Sequence, residues 1–322
     1  MTGEQEQLQS REMLGVPTDA PVPPAPPGNA ELELHGEPEP EARSQWQLFW
    51  RRFFRHRMAV LSAIVLVLLT VACFGAKWLA PFDKNQQDLL LGPVPPSLEH
   101  IFGTDELGRD QLTEIMFAGQ ISLKIGVGVA LVATVAGTLF GSLAGFFGRW
   151  LDQLLMRLTD LFLVVPAIAI LAIAIKKFGN KDYTIVLVLA GLGWMYIARI
   201  VRGQVLSIKE KEFVDAARVS GASNLRIIVR HILPNTIGPI LVNATLGIAA
   251  AVVIESTLSF LGFGVQPPTT SWGRMLSDAR GTVGTAKAHL IYFPGLALLV
   301  TVLAVNYIGD GLRDAFDPES RR

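Results

Sequence analysis

Residues 212–235 read EFVDAARVSGASNLRIIVRHILPN, a polar island between two long apolar runs that are each able to cross a bilayer. Phe213, Ala216, Ala217 and Ser220 recur at three- and four-residue spacing, which predicts a short helix with a small-residue face. Gly221 breaks that pattern, and Ser223 or Asn224 suits the N-cap of a second helix. Leu225, Ile228 and Ile232 supply the next apolar series, and Pro234 marks the start of the next long apolar run. A helix–Gly–helix loop of this kind is a compact knob whose alanines let another backbone come close. The same residues also fit an amphipathic loop resting on the membrane surface.

Outward from this island the chain is apolar. Of 322 residues, 50% are hydrophobic and 17% are charged, and the mean hydropathy is +0.40. Six apolar runs lie at about 58–80, 121–147, 153–176, 183–203, 236–261 and 289–312, each near the ~20 residues a helix needs to span hydrocarbon. The fold class expected is an all-α polytopic membrane protein with six transmembrane helices. The formal net charge is zero, so nothing points to nucleic acid. Lys and Arg set the orientation. Arg51 to Arg57, Arg149 and Arg157, Arg199 through Arg230, and Arg313, Arg321 and Arg322 fall on one side if both termini are cytoplasmic. The other side keeps a thinner scatter, such as Lys77, Lys84, Arg109 and Lys287.

The chain divides into five regions. Residues 1–43 are Pro- and Glu-rich without a basic leader, which predicts a solvated, disordered tail and no signal peptide. Residues 44–80 join an interfacial basic-aromatic helix (WQLFWRRFFRHR, 46–57) to the first span. Residues 81–120 form an extracytoplasmic segment, 121–312 the core and 313–322 a cytoplasmic tail.

Within the spans, Gly137, Gly141 and Gly145 make two overlapping GxxxG steps, suited either to packing inside the chain or to a subunit interface. Pro166 should kink the third span. Asp160 has Arg157 three residues earlier as a ready partner, and Asn306 suits an interhelical hydrogen bond. Glu255, a carboxylate at membrane depth, reads either as a pathway group or as one bonded to Ser256 or Ser259. Enzyme signatures are missing: there is no HExxH pair, no GxSxG elbow and no Gly-Lys dipeptide for a phosphate loop. The single cysteine, Cys73, excludes an internal disulfide and a cysteine metal cluster. No cofactor or metal is expected, and a nucleotide that drove transport would bind another subunit. In TDELGRD (104–110), Asp105, Glu106, Arg109 and Asp110 could bind a cation or receive an extracytoplasmic protein, or could form a capped, internally paired turn.

Asp215, Ala216, Ala217, Gly221, His231, Leu233 and Pro234 resemble the Glu-Ala-Ala…Gly…Ile-x-Leu-Pro signature of bacterial ABC importer permeases, with Asp for Glu and His for Ile. HIFGTDELGRD, LSFLGFGVQPPTTSWGRML and NYIGDGLRDAFDP are similar to segments of the dipeptide/oligopeptide/nickel branch, and the likeness spans about residues 45–318. The extra N-terminal region is similar to that of its "C"-type subunit. The resemblance implies a permease core built from spans 2–6 and a cytoplasmic coupling helix formed by the knob. It implies two ATP-binding subunits, a second permease, an extracytoplasmic substrate-binding protein and a place in the inner membrane. It implies an ATP-driven peptide importer; nickel or another small solute is the alternative within the branch. A non-transporting scaffold or passive channel is the alternative outside it.

Overall fold

Residues 45–84, 86–179 and 181–316 of a computed structural model describe the chain. The expected tail over 1–43 and the last residues of the 313–322 segment lie outside them. Among the described residues the backbone is helical or in turns and loops, apart from one isolated bridge between Thr104 and Asp110. Helix α1 is Gln45–Arg55, α2 Arg57–Phe74 and α3 Ala76–Leu79. After a long segment come α4 (Gln111–Phe147), α5 (Arg149–Val164), α6 (Ala167–Phe178) and α7 (Asp182–Ile208). The knob holds α8 (Glu212–Val219), α9 (Asn224–Ile227) and a π-helical turn, Ile228–Ile232. The chain continues through α10 (Leu233–Phe260), α11 (Trp272–Asp278) and α12 (His289–Phe316).

Five of these helices are long and apolar enough to cross a membrane, and the bent pair α5–α6 makes a sixth candidate. A helix satisfies its own backbone groups, so it can lie in hydrocarbon where an open strand cannot. Two boundaries differ from the sequence reading. The apolar pattern starts the second span at residue 121, but α4 begins at Gln111 and takes ten residues of the expected outer segment, four of them polar, as its first turns. Gln111, Thr113 and Glu114 are buried there against other parts of the outer end, so local polarity does not mark the helix edge. The third span is broken rather than kinked: α5 and α6 meet at an angle of 88° on either side of Val165 and Pro166. Proline lacks an N–H and its ring clashes with the carbonyl four residues earlier, here Phe162.

The most extensive contact joins α4 to α7. A Cβ on Gly137 would stand 2.7 Å from the Trp194 carbonyl oxygen, one on Gly141 2.5 Å from that of Ala198, and one on Gly145 3.0 Å from that of Arg202. The small-residue stripe therefore seats α7 within the same chain. Behind it, Ile125, Leu171, Ile185, Ile197, Val201 and Val205 share one buried apolar cluster with Val214, Ile227 and Ile232 of the knob region. Arg202 grips both oxygens of Asp152, and Arg199 pairs with Asp160, tying α5 to α7. Asp160 thus finds its partner on another helix, not in Arg157, because α7 brings an arginine fork alongside α5.

Helix α1 is amphipathic in place as well as in pattern. Phe49 and Phe53 are buried against Ala59, Leu312, Ala315 and Phe316, whereas Trp50 and Phe54 are exposed. Gly311 lets Ala59 lie directly on α12.

Candidate functional site

The knob sits at the end of the bundle shared by α1 and the end of α12. Arg218 stacks over Phe146 at the end of α4, Gly238 at the start of α10 touches Phe316, and Phe316 touches Phe49. Helix α8 ends in a Schellman motif. The Ala222 N–H donates to the Ala217 carbonyl at 3.0 Å and the Gly221 N–H to the Arg218 carbonyl at 2.9 Å. Gly221 has φ +78°, the left-handed conformation this cap requires and glycine adopts without strain. Ser223 caps α9 by accepting the Arg226 N–H.

Only one edge of the knob is anchored. Val214 is fully buried, and Ala217 and Ala222 pack on the core cluster. Asp215, Ala216 and Gly221 are exposed, as is Pro234, while His231 and Leu233 are half-buried. Large apolar side chains are exposed as well: Phe213 at 43%, Val219 at 90%, Leu225 at 71% and Val229 at 56%. The sequence spacing puts Leu225 on one apolar face with Ile228 and Ile232. Instead Ile227 joins those two inside, and Leu225 points away. The π turn lies directly ahead of Pro234, whose ring would clash with the Arg230 carbonyl in an unbroken α-helix. No residue type in the sequence marks such a turn except that proline.

The opposite end of the bundle carries 104–110. Asp105 accepts from the Leu107 and Arg109 backbone N–H groups, each at 2.9 Å, and from Arg109 Nε at 2.7 Å. Arg109 also reaches Glu114 at 3.4 Å. Burial works against the Arg109 charge, but the Asp105 hydrogen bond and the charges of Glu114, Asp105 and Asp278 outweigh it and raise its pKa. Asp110 caps α4, taking the Thr113 N–H at 2.8 Å, and meets His100 Nδ1 at 3.0 Å. Asp105 and Arg109 are therefore bonded to each other and Asp110 to Thr113 and His100, whereas Glu106 is exposed and pairs with Lys287 at 2.8 Å. Among the described residues no group of acidic, histidine or cysteine side chains is arranged to hold a metal ion.

Glu255 lies in the protein interior at 0% exposure. Ser259 donates to it at 2.7 Å, Ser122 at 3.3 Å and Ser256 at 3.4 Å. Separate from it, a cavity of about 720 Å³ opens between α4, α5, α7 and α10. Its walls include Phe162, Tyr196, Asn243 and Ile254, and no charged side chain. Sequence reasoning does not single out Tyr196 or Asn243, since a lone polar residue in an apolar span gives no sign of the face it occupies.

An apolar helical bundle with a small-residue knob held out at one end is the architecture of a polytopic membrane protein. The chain belongs to the binding-protein-dependent transport system inner membrane component family, whose model matches residues 137–322. The model of the N-terminal TM domain of oligopeptide transport permease C matches residues 44–93. The chain is 40% identical to the oligopeptide transport system permease protein OppC of Haemophilus influenzae, over 87% of this chain and 91% of that protein. It is 41% identical to the glutathione transport system permease protein GsiD of Escherichia coli, over 87% of this chain and 92% of that one. A chain of the MetNI methionine ABC transporter, solved in inward-facing conformations, shares the fold. Its TM-score is 0.50 at 18% identity, covering 62% of this chain and 94% of that one. These relatives are permease subunits of transporters rather than enzymes, so the chain is a polytopic membrane permease with an ABC importer fold.

Proposed function

We propose that the chain is the C-type permease subunit of a peptide importer of the inner membrane, driven by ATP hydrolysed in two separate subunits. The carrying observation is the knob: Asp215, Ala216 and Gly221 stand out from the bundle beside exposed Phe213 and Val219. Solvent-exposed apolar groups rimmed by charge suit a groove in another protein. The Schellman cap makes the knob stiff, and a stiff element can pass a displacement to the bundle through Val214 and the core behind it. Asp215 pairs with Arg218 at 2.9 Å and offers its charge near the start of α8. His231, Leu233 and Pro234 join the knob to α10, so a push on α8 reaches the helix that walls the cavity.

The names of the relatives favour peptides, glutathione among them, over nickel, and a working permease over a scaffold. The uncharged cavity fits that reading as the pathway wall, because it would not sort peptides by side-chain charge. A second permease would supply the facing wall. The termini are then cytoplasmic with the knob, and the 104–110 turn with 263–288 faces out, meeting the substrate-binding protein through Glu106 and its neighbours. Asp105, Arg109 and Asp110 would hold the shape of that surface rather than contact the receptor.

The test is reconstitution. Purified from its native membrane and placed in liposomes, the chain should copurify with two ATPase subunits and a second permease, and should take up peptide only with receptor and ATP. Passive peptide flux without ATP, or purification as a lone subunit that still moves peptide, would refute the reading.

A further inference from the structure

Glu255 is positioned by four serines, and three of those serines also accept a backbone N–H. Ser122 on α4 donates to Glu255 and accepts the Trp272 N–H at 3.2 Å. Ser259 on α10 donates to Glu255 and accepts the Val265 N–H at 3.0 Å. Ser271, the fourth serine beside the carboxylate, accepts the Arg274 N–H at 3.2 Å and caps α11. A hydroxyl has one proton and two acceptor lone pairs. An acceptor at position 255 takes the proton, which leaves the lone pairs of Ser122 and Ser259 turned toward backbone N–H groups. The Trp272 N–H is at the start of α11, where a helix has no partner of its own to offer.

The surroundings are built around the same join. Trp272 is fully buried, and its Nε1 donates to the Ile115 carbonyl of α4 at 3.0 Å. Gly119 makes room for its ring. A Cβ on Gly273 would lie 2.5 Å from the Ser256 carbonyl oxygen, so α11 rests directly on α10. Ser277 Oγ donates to the Phe260 carbonyl at 3.0 Å. The segment held this way, through Thr270, Met275 and Asp278, walls an outer pocket of about 240 Å³ that Asp105, Glu106 and Arg109 also line.

We propose that Glu255 is a positioning residue: through Ser122 and Ser259 it staples 265–278 to α4 and α10, and so sets the outer surface that the receptor meets, without touching the solute. The receptor half of this claim rests on the proposed importer function; the staple itself does not. It accounts for a carboxylate at membrane depth by its polarity as an acceptor, not by any pathway role.

The test uses the whole complex in lipid nanodiscs, with Glu255→Gln, Glu255→Asp, Ser122→Ala and the Ser122→Ala/Glu255→Gln double variant. Amide exchange over 265–273 should quicken roughly tenfold in Glu255→Gln and in Ser122→Ala, since each disturbs the acceptor of a buried N–H. The double variant should be no worse than either single one, as members of one network are non-additive. Glu255→Asp, which keeps both acceptor oxygens where Gln keeps one, should recover part of the protection. In the same samples the receptor concentration for half-maximal ATPase stimulation should rise severalfold, with receptor-free ATPase and the order of preference among peptides unchanged. A changed peptide preference would make Glu255 a pathway contact and overturn the proposal. So would unchanged exchange in both single variants. If Glu255→Gln does not assemble, Ser122→Ala decides by the same readouts. Absence of receptor stimulation in the unaltered complex would refute the importer reading, and exchange alone would then judge the staple.

Discussion

Gly221 offers a graded test of the knob. Its φ is +78°, and nothing lies within 4 Å of the place a Cβ would occupy. A side chain there meets no steric obstacle in the chain itself, so the whole intrinsic cost is backbone strain, about 1–2 kcal/mol for an L-residue in the left-handed region. That cost falls on two cap bonds, at 2.9 and 3.0 Å, that hold the end of α8. A strain of about 1–2 kcal/mol changes a conformational population by roughly 5- to 30-fold. ATP-driven peptide uptake into proteoliposomes should therefore fall in the order Gly, Asn, Ala, Val at position 221. Asn precedes Ala because its side chain tolerates the left-handed region. Gly221→Asp should insert normally yet lose coupled transport, because it adds a charge on the surface proposed to receive a partner backbone. Yield in the membrane should stay constant across the series, and the thermal unfolding midpoint of the bundle should fall by no more than that strain accounts for, since Gly221 contributes nothing to the core. Uptake by Gly221→Ala and Gly221→Val at the unaltered rate, with ATPase still coupled, would refute the idea that this cap transmits force.

Gly141→Ala should destabilise the bundle by about 1–3 kcal/mol through overpacking, because its Cβ would meet the Ala198 carbonyl oxygen at 2.5 Å. Gly191→Ala on α7, with nothing within 4 Å of its Cβ, is the matched control; equal midpoints in detergent would refute the α4–α7 seat. Asp152→Ala should cost about 1–2 kcal/mol, the pair being part-buried with side-chain exposures of 33% and 17%. A double-mutant cycle with Arg202→Ala should show coupling, and strict additivity would deny the α5–α7 tie. Asp110→Ala removes the α4 cap and should cost about 1 kcal/mol, while Asp110→Asn retains most of it; a midpoint insensitive to both would contradict the cap.

Much of this architecture is written along the chain because its causes are local. An apolar run near bilayer length, a glycine where the backbone must turn left-handed, and a serine ahead of a helix each act within a few residues. The knob between two spans, the interruption at Gly221 and the Ser223 cap are legible for that reason, whereas at Pro166 a kink is legible but not the full break, and the Asp110 cap is hidden because the apolar pattern starts only at residue 121. The inner face of the knob is misread at Leu225, because a π turn shifts the face by a residue and only Pro234 hints at it. The turn 104–110 leaves two readings open in sequence, and three of its four charged residues are satisfied inside the turn or by Glu114 and His100.

What the sequence alone determined is the set of spanning segments, most of their apolar character and several of the points where the backbone needs glycine, proline or a cap, because these depend on spacing and on single-residue stereochemistry. The tertiary structure decided which surfaces meet. Asp160 finds Arg199 across 39 residues, Ser122 reaches Glu255 across 133, and Trp272 returns to Ser122 across 150. The glycine stripe of α4 receives α7 rather than another subunit, and Glu255 is enclosed by serines rather than set on the cavity wall. A carboxylate or a small-residue stripe carries the same local signal whichever neighbour covers it. The neighbour is chosen by the packing of helices distant in sequence, where close backbone approach and satisfied hydrogen bonds must be achieved together.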